Sequence, residues 1–165
     1  MLRSVEVEDT LPNKLSELME VAHADFKKCR EDADYRLDFS AYHVPRSHPI
    51  NGNGKACLVC MAGATIAKTF GMSKNRFLDP YSFVDKRVSA KLEAISQASF
   101  GFVGDAVYEL LDAGVLSKEE VPDWTARGEE SKDYLSHSPY CAGVDVASFD
   151  EKVEDFIAEL KKEGL

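Results

Sequence analysis

Asn51-Gly-Asn-Gly-Lys-Ala-Cys57-Leu-Val-Cys60-Met-Ala-Gly-Ala-Thr-Ile-Ala-Lys-Thr-Phe-Gly71 is the stretch on which the fold turns. A turn-forming tetrad at 51–54 opens onto a run of small and apolar residues, and Gly71 closes the run in a helix-ending position. The run reads as one buried helix over residues 56–70. Ala62, Gly63 and Ala64 carry little or no side chain, so neighbouring backbone can approach there, while Leu58, Met61, Ile66 and Phe70 supply bulk. This segment is the expected central packing element.

Upstream, Leu11, Leu15, Leu18, Met19, Ala22, Phe26 and Cys29 recur at steps of three and four, predicting a helix that Thr10 caps and Pro12 opens and that runs to about Arg30. His23 belongs to that helix as a packing or surface residue. Residues 1–9 are polar without a stripe and are expected to form a loosely held arm. Over 35–42 the pattern alternates, which predicts a short strand with no evident partner in the sequence. Residues 43–54 hold two prolines and two glycines and read as loop.

Downstream, Phe77, Leu78, Tyr81 and Phe83 are expected as aromatic and apolar anchors against the core. Val84, Val88, Leu92, Ile95 and Ser99 mark a further helix, and Val103, Val107, Leu110 and Leu111 another, stopped at Gly114. Ser117 and Glu120 have capping-box spacing, as do Ser148 and Glu151, the second pair opening a last helix with Phe149, Val153, Phe156, Ile157 and Leu160 inward. One short helix is expected over 129–135. The fold class is therefore mainly α: a single helical domain over 1–165 with at most a minor strand element near 35–42.

The chain has 165 residues, 44% of them hydrophobic, enough for one core and too few for two full domains. Lys and Arg number 20 against 29 Asp and Glu, a net charge of −9. A field of that sign disfavours direct binding to nucleic acid or an anionic membrane. No run approaches the roughly 18 apolar residues of a spanning helix, and the start turns acidic at once, unlike a secretory signal, so a cytoplasmic protein with reduced thiols is expected.

Cys57 and Cys60 form a Cys-x-x-Cys pair, and His137 with Cys141 completes a set from which a Cys3His zinc site can be written, since zinc takes thiolate and imidazole in a tetrahedron. The bland alternative is that the pair fills the core as small apolar side chains. A cysteine nucleophile served by His43, His48 or His137 is a further alternative. Gly52, Gly54 and Lys55 lack the flanking strand, first glycine and Ser or Thr of a phosphate loop. The carboxylates, Glu6, Glu8, Asp9, Glu119, Glu120, Glu129, Glu130, Asp150 and Glu151 among them, read as a scattered solvated surface, with imitation of a nucleic-acid backbone as the bolder reading. No catalytic constellation stands out.

Leu37-Asp-Phe-Ser-Ala-Tyr42 and Cys60-Met-Ala-Gly-Ala64 resemble two motifs of a group of small phage and prophage proteins of unknown function, Asp-Phe-Ser-x-Tyr/Trp and Cys-Gly-Thr-x-x-Cys-x-Ala-Gly-x-Ala. The likeness spans residues 35–110. Lys55-Ala56-Cys57 stands where those proteins have Cys-Gly-Thr, so the first cysteine of the pattern is missing and Cys57 is displaced. The resemblance implies a small accessory protein without an assigned activity. The expected function is binding to another protein, such as a host factor, without catalysis and without a cofactor.

Overall fold

The computed structural model describes residues 4–45, 47–48, 56–126, 137–143 and 145–165. Among these, six helices surround a three-stranded sheet, in the order α1 (Leu15–Arg30), β1 (Tyr35–Leu37), β2 (His43–Val44), β3 (Cys57–Val59), α2 (Met61–Lys68), α3 (Lys86–Ser99), α4 (Val103–Asp112), α5 (Asp123–Ala126) and α6 (Val146–Lys162). The mainly α expectation holds. The helix expected over 129–135 and the glycine-rich tetrad at 51–54 lie outside the described residues.

The apolar run divides at Cys60. Cys57, Leu58 and Val59 are buried and form the middle strand of the sheet, with order β1-β3-β2, and only Met61 onward is helical. A short, continuous apolar run carries no periodicity that separates a buried strand from a buried helix, which is why 56–70 reads as one element in sequence. Cys60 makes the switch: its backbone is extended, and its sulfur accepts from the Gly63 N–H at 3.5 Å, so it caps α2. Gly71 closes the segment as expected, at φ +62°, and lets the Met72 N–H turn back to the Ile66 carbonyl.

The segment expected as one strand over 35–42 is a strand and a turn, and a second strand occupies the first two residues of the stretch expected as loop over 43–54. Tyr35–Leu37 pairs parallel to Cys57–Val59, and His43–Val44 pairs antiparallel to its other edge. Between them the Asp38 carboxylate accepts from the Ser40 N–H at 2.9 Å and from its hydroxyl at 2.6 Å, a local bond that competes with ladder formation. The missing partner is β3, the segment read as helix.

The amphipathic readings of α1, α3, α4 and α6 place Leu18, Met19, Phe26, Val88, Leu92, Val103, Val107, Phe149 and Leu160 correctly in the core. Helix ends move. The first helix starts at Leu15 behind Lys14, not at Thr10 and Pro12, and the last starts at Val146 behind Asp145, ahead of Ser148. Val84 precedes α3 and is exposed, and Leu111 is only partly buried. Leu78 and Phe83 are buried anchors, whereas Tyr81 and Phe77 face outward. The Ser117–Glu120 box forms, the Glu120 carboxylate accepting from both the N–H and the hydroxyl of Ser117.

The arm is not loose over its described part. Val5 is 3% exposed, joins Ile66, Phe83 and Leu92 in a second apolar cluster, and exchanges backbone hydrogen bonds with Ser82 and Val84. A single apolar residue pairing with a segment nearly eighty positions away leaves no local pattern to read.

Asp150 is likewise no mere surface carboxylate. It sits on α6 and accepts two bonds from the Arg30 guanidinium, at 2.9 and 3.2 Å, and one from His23 Nε2 at 2.8 Å, clamping α6 to α1. Burial opposes the charged form, but Arg30 and His23 together outweigh it and hold the carboxyl below its usual range. A depressed carboxyl stabilises the fold above its unfolded value and loses that contribution as pH falls through the folded value, so the window lies below about pH 4. Asp150→Asn is expected to cost about 2 kcal/mol at pH 7, read as a lower urea midpoint at unchanged slope, and to lose less against the parent at pH 3. An unchanged midpoint at pH 7 would show the clamp to be idle.

Candidate functional site

The four candidate zinc ligands occupy separate structural settings. Cys57 lies on β3 with its sulfur 3.8 Å from each ring nitrogen of His43. Cys60 caps α2. Cys141 is exposed in the 3-10 turn Pro139–Ala142, and His137, half-buried, precedes that turn. Among the described residues no three His, Cys, Asp or Glu side chains form a group able to hold a metal ion, so no three of this set come together.

Thiol chemistry needs a base and an open approach, and neither Cys57 nor Cys60 combines them. Cys57 has the neighbouring imidazole but is buried with it; His43 Nδ1 donates to the Arg76 carbonyl at 2.7 Å, and burial pushes the imidazole below its usual value. Cys60 borders an open concavity with no His or carboxylate in its lining. Burial pushes the Cys57 thiol up to about 12 and the Cys60 thiol to about 11, in the latter case against the amides of the helix start, so both are protonated at neutral pH.

Cys60 instead belongs to a packing and hydrogen-bond junction. Tyr140, stacked on Phe39 at 4.0 Å between ring centres, accepts the Met61 N–H at 3.0 Å and thereby satisfies one of the unpaired amides at the start of α2. Phe39 also stacks on Phe149 of α6, which contacts Phe26 of α1 at 5.0 Å. This ladder of rings fixes the 38–42 turn against the helices, and Phe39 sets one wall of a surface concavity.

Two concavities lie along one face of α3, over small residues at helical spacing, Ser89, Ala90 and Ser96, with Glu93 between them. At one end a concavity of about 190 Å³ is lined by Phe39, Ala41, Tyr42 and Phe100 and is mostly apolar. At the other a concavity of about 360 Å³ is lined by Tyr81, Lys86, Glu93, Glu109 and Asp112. The Tyr42 hydroxyl stands between them, accepting from Ser96 at 3.2 Å and donating to Glu93 at 3.5 Å, while Gln97 donates to the other Glu93 oxygen at 3.1 Å.

The acidic end is electrostatically unbalanced. Among the described residues three carboxylates face one ammonium in its lining, and Asp105 and Tyr108 extend the same side of α4 at helical spacing from Glu109 and Asp112. The Glu109 carboxyl is held above its usual range, first by burial and then by Glu93, Asp112 and Asp105. Tyr81 is 54% and Tyr108 56% exposed, large rings left at the surface beside these charges.

Sequence reading missed this group. It treated the carboxylates as scattered and placed Tyr81 in the core. The local signal was present in Asp105-Ala-Val-Tyr108-Glu109-Leu-Leu-Asp112, where Asp105, Tyr108, Glu109 and Asp112 share one helical face. No signal in the sequence joins that face to Glu93 and Tyr81. No protein-family model matches the chain, no curated protein matches it, and no solved structure matches it.

Proposed function

We propose that this protein acts by binding another protein through the groove over α3, and that it is an accessory protein of the phage and prophage kind its motifs resemble, with a host protein as partner. One observation carries the reading: two concavities on one face of α3, one apolar and one rimmed by the exposed Tyr81, in which carboxylates outnumber cations among the described residues. Exposed aromatic side chains beside unbalanced charge are what a partner desolvates and pairs on docking. The two thiols near the site are buried and protonated, which suits packing better than turnover.

The test is site-directed photo-crosslinking. A photoreactive phenylalanine analogue in place of Tyr108 is expected to give a discrete adduct with a protein in host extract, while the same probe in place of Glu154, on the solvent side of α6, gives none. Adducts from the α6 position alone would move the binding surface elsewhere and overturn the reading.

A further inference from the structure

We infer that the occupant of the α3 groove is an extended cationic segment of the partner protein, with an arginine seated among Glu93, Glu109 and Asp112 and an apolar side chain seated against Ala41, Tyr42 and Phe100. The inference rests on the groove being the docking surface proposed above. It names what that surface recognises.

Charge complementarity selects the occupant. The carboxyl of Glu109 is already raised by burial and by its acidic neighbours, so the free groove holds like charges at a cost that a cation removes on binding. A phosphate-bearing ligand would add to that repulsion. A second copy of this chain docking face to face would bring the same carboxylates against themselves. Arginine fits better than lysine because its planar guanidinium pairs two carboxylates at once and stacks on an exposed ring, which Tyr81 supplies at the rim of the acidic concavity.

Spacing selects the conformation. The acidic concavity is floored by Lys86, Ser89, Ala90 and Glu93 and the apolar one by Ser96 and Phe100, so their centres are separated by about 13 Å at the helical rise per residue. Extended chain covers that distance in about four residues, which places both side chains on the same face of the strand. A partner segment with an aromatic residue four positions before an arginine meets both requirements.

The probe is a fluorescein-labelled peptide, Gly-Phe-Ser-Ala-Ser-Arg-Gly, titrated against the full chain by anisotropy and by amide chemical shifts, beside a version with glutamate for the arginine. The arginine peptide is expected to bind with shifts centred on Glu93, Ser96, Glu109 and Asp112, and to weaken by ~10-fold between low and high salt. The glutamate peptide is expected not to bind. Glu109→Gln combined with Asp112→Asn should weaken the arginine peptide by ~10-fold. That variant is expected to fold at least as well as the parent, because it relieves the repulsion and removes an acid from the C-terminal turn of α4.

Equal binding of the two peptides, shifts mapping to another face, or no loss in the folded double variant would each overturn the inference. A crosslinked partner at position 108 together with no binding of the arginine peptide leaves the docking surface standing and removes the cationic occupant. Failure of both removes the surface as well.

Discussion

Gly63→Ala is expected to abolish stable folding or to lower stability by at least ~4 kcal/mol. A Cβ at position 63 would overlap the carbonyl oxygen of Tyr42 and lie 2.5 Å from its carbon and 3.3 Å from its Cα. Those are backbone atoms, and they cannot rotate away. Tyr42 leads directly into β2, so relief would require the sheet edge to lift from α2, opening the core beneath His43 and Val44. In a helix interior alanine ordinarily stabilises by about 1 kcal/mol relative to glycine, so the sign is set wholly by the close approach. Ala62→Gly serves as the control, with an expected cost of about 1 kcal/mol and a cooperative melt. A Gly63→Ala variant melting within a few degrees of the parent would show that the sheet edge yields easily.

Lys91→Met is expected to cost about 3 kcal/mol and to free the N-terminal arm. The Lys91 side chain is 1% exposed, and its ammonium donates to both oxygens of Asp9 at 2.8 and 3.0 Å and to the Leu11 carbonyl at 2.8 Å. Three partners satisfy the three protons of the ammonium, so the buried charge is compensated. Removing it leaves the largely buried Asp9 carboxylate with only the longer contact to Arg87, at 3.6 Å, and the Leu11 N–H, at 3.2 Å, which is worse than removing both charges. The double variant Lys91→Met with Asp9→Asn is therefore expected to recover part of the loss. Hydrogen exchange checks the structural half: the Val84 amide, bonded to the Val5 carbonyl at 2.9 Å, should lose protection in the single variant. Protection retained at Val84 would mean that Val5 alone holds the arm.

Both effects arise where segments distant in sequence meet, and that marks how far the sequence could be read. The helical stripes were legible because a period of 3.6 is written into each segment by itself: Leu15 to Cys29, Val88 to Ser99 and Phe149 to Leu160 each bury the face their spacing indicates. The small residues at 62–64 announced a close approach, and Gly63 makes one. The Ser117 and Glu120 pair announced its cap.

The site was less legible, and for a physical reason. Cys57 and Cys60 invite a metal reading because, with His137 and Cys141, four residues of the right chemistry occur in the chain, yet ligation depends on where β3, α2 and the Pro139–Ala142 turn lie in space. The fold gives Cys57 to the sheet and Cys60 to a helix cap, with Cys141 at the surface. The acidic groove shows the opposite case. Glu93 and Glu109 are ordinary exposed-type residues on two helices, and nothing local foretells that α3 and α4 pack so as to set them facing one concavity beside Tyr81.

By itself the sequence determined the helical class, which faces of α1, α3, α4 and α6 turn inward, the close approach at residues 62–64, and the net charge of −9. Tertiary structure alone decided that Cys57-Leu58-Val59 is a strand, because a buried strand exists only when neighbours take up its hydrogen bonds, and β1 and β2 do so from either side. It decided as well that Val5 and Asp9 are anchored and that three carboxylates converge. Periodicity is a property of one segment, whereas pairing, burial of charge and the shape of a groove belong to segments brought together.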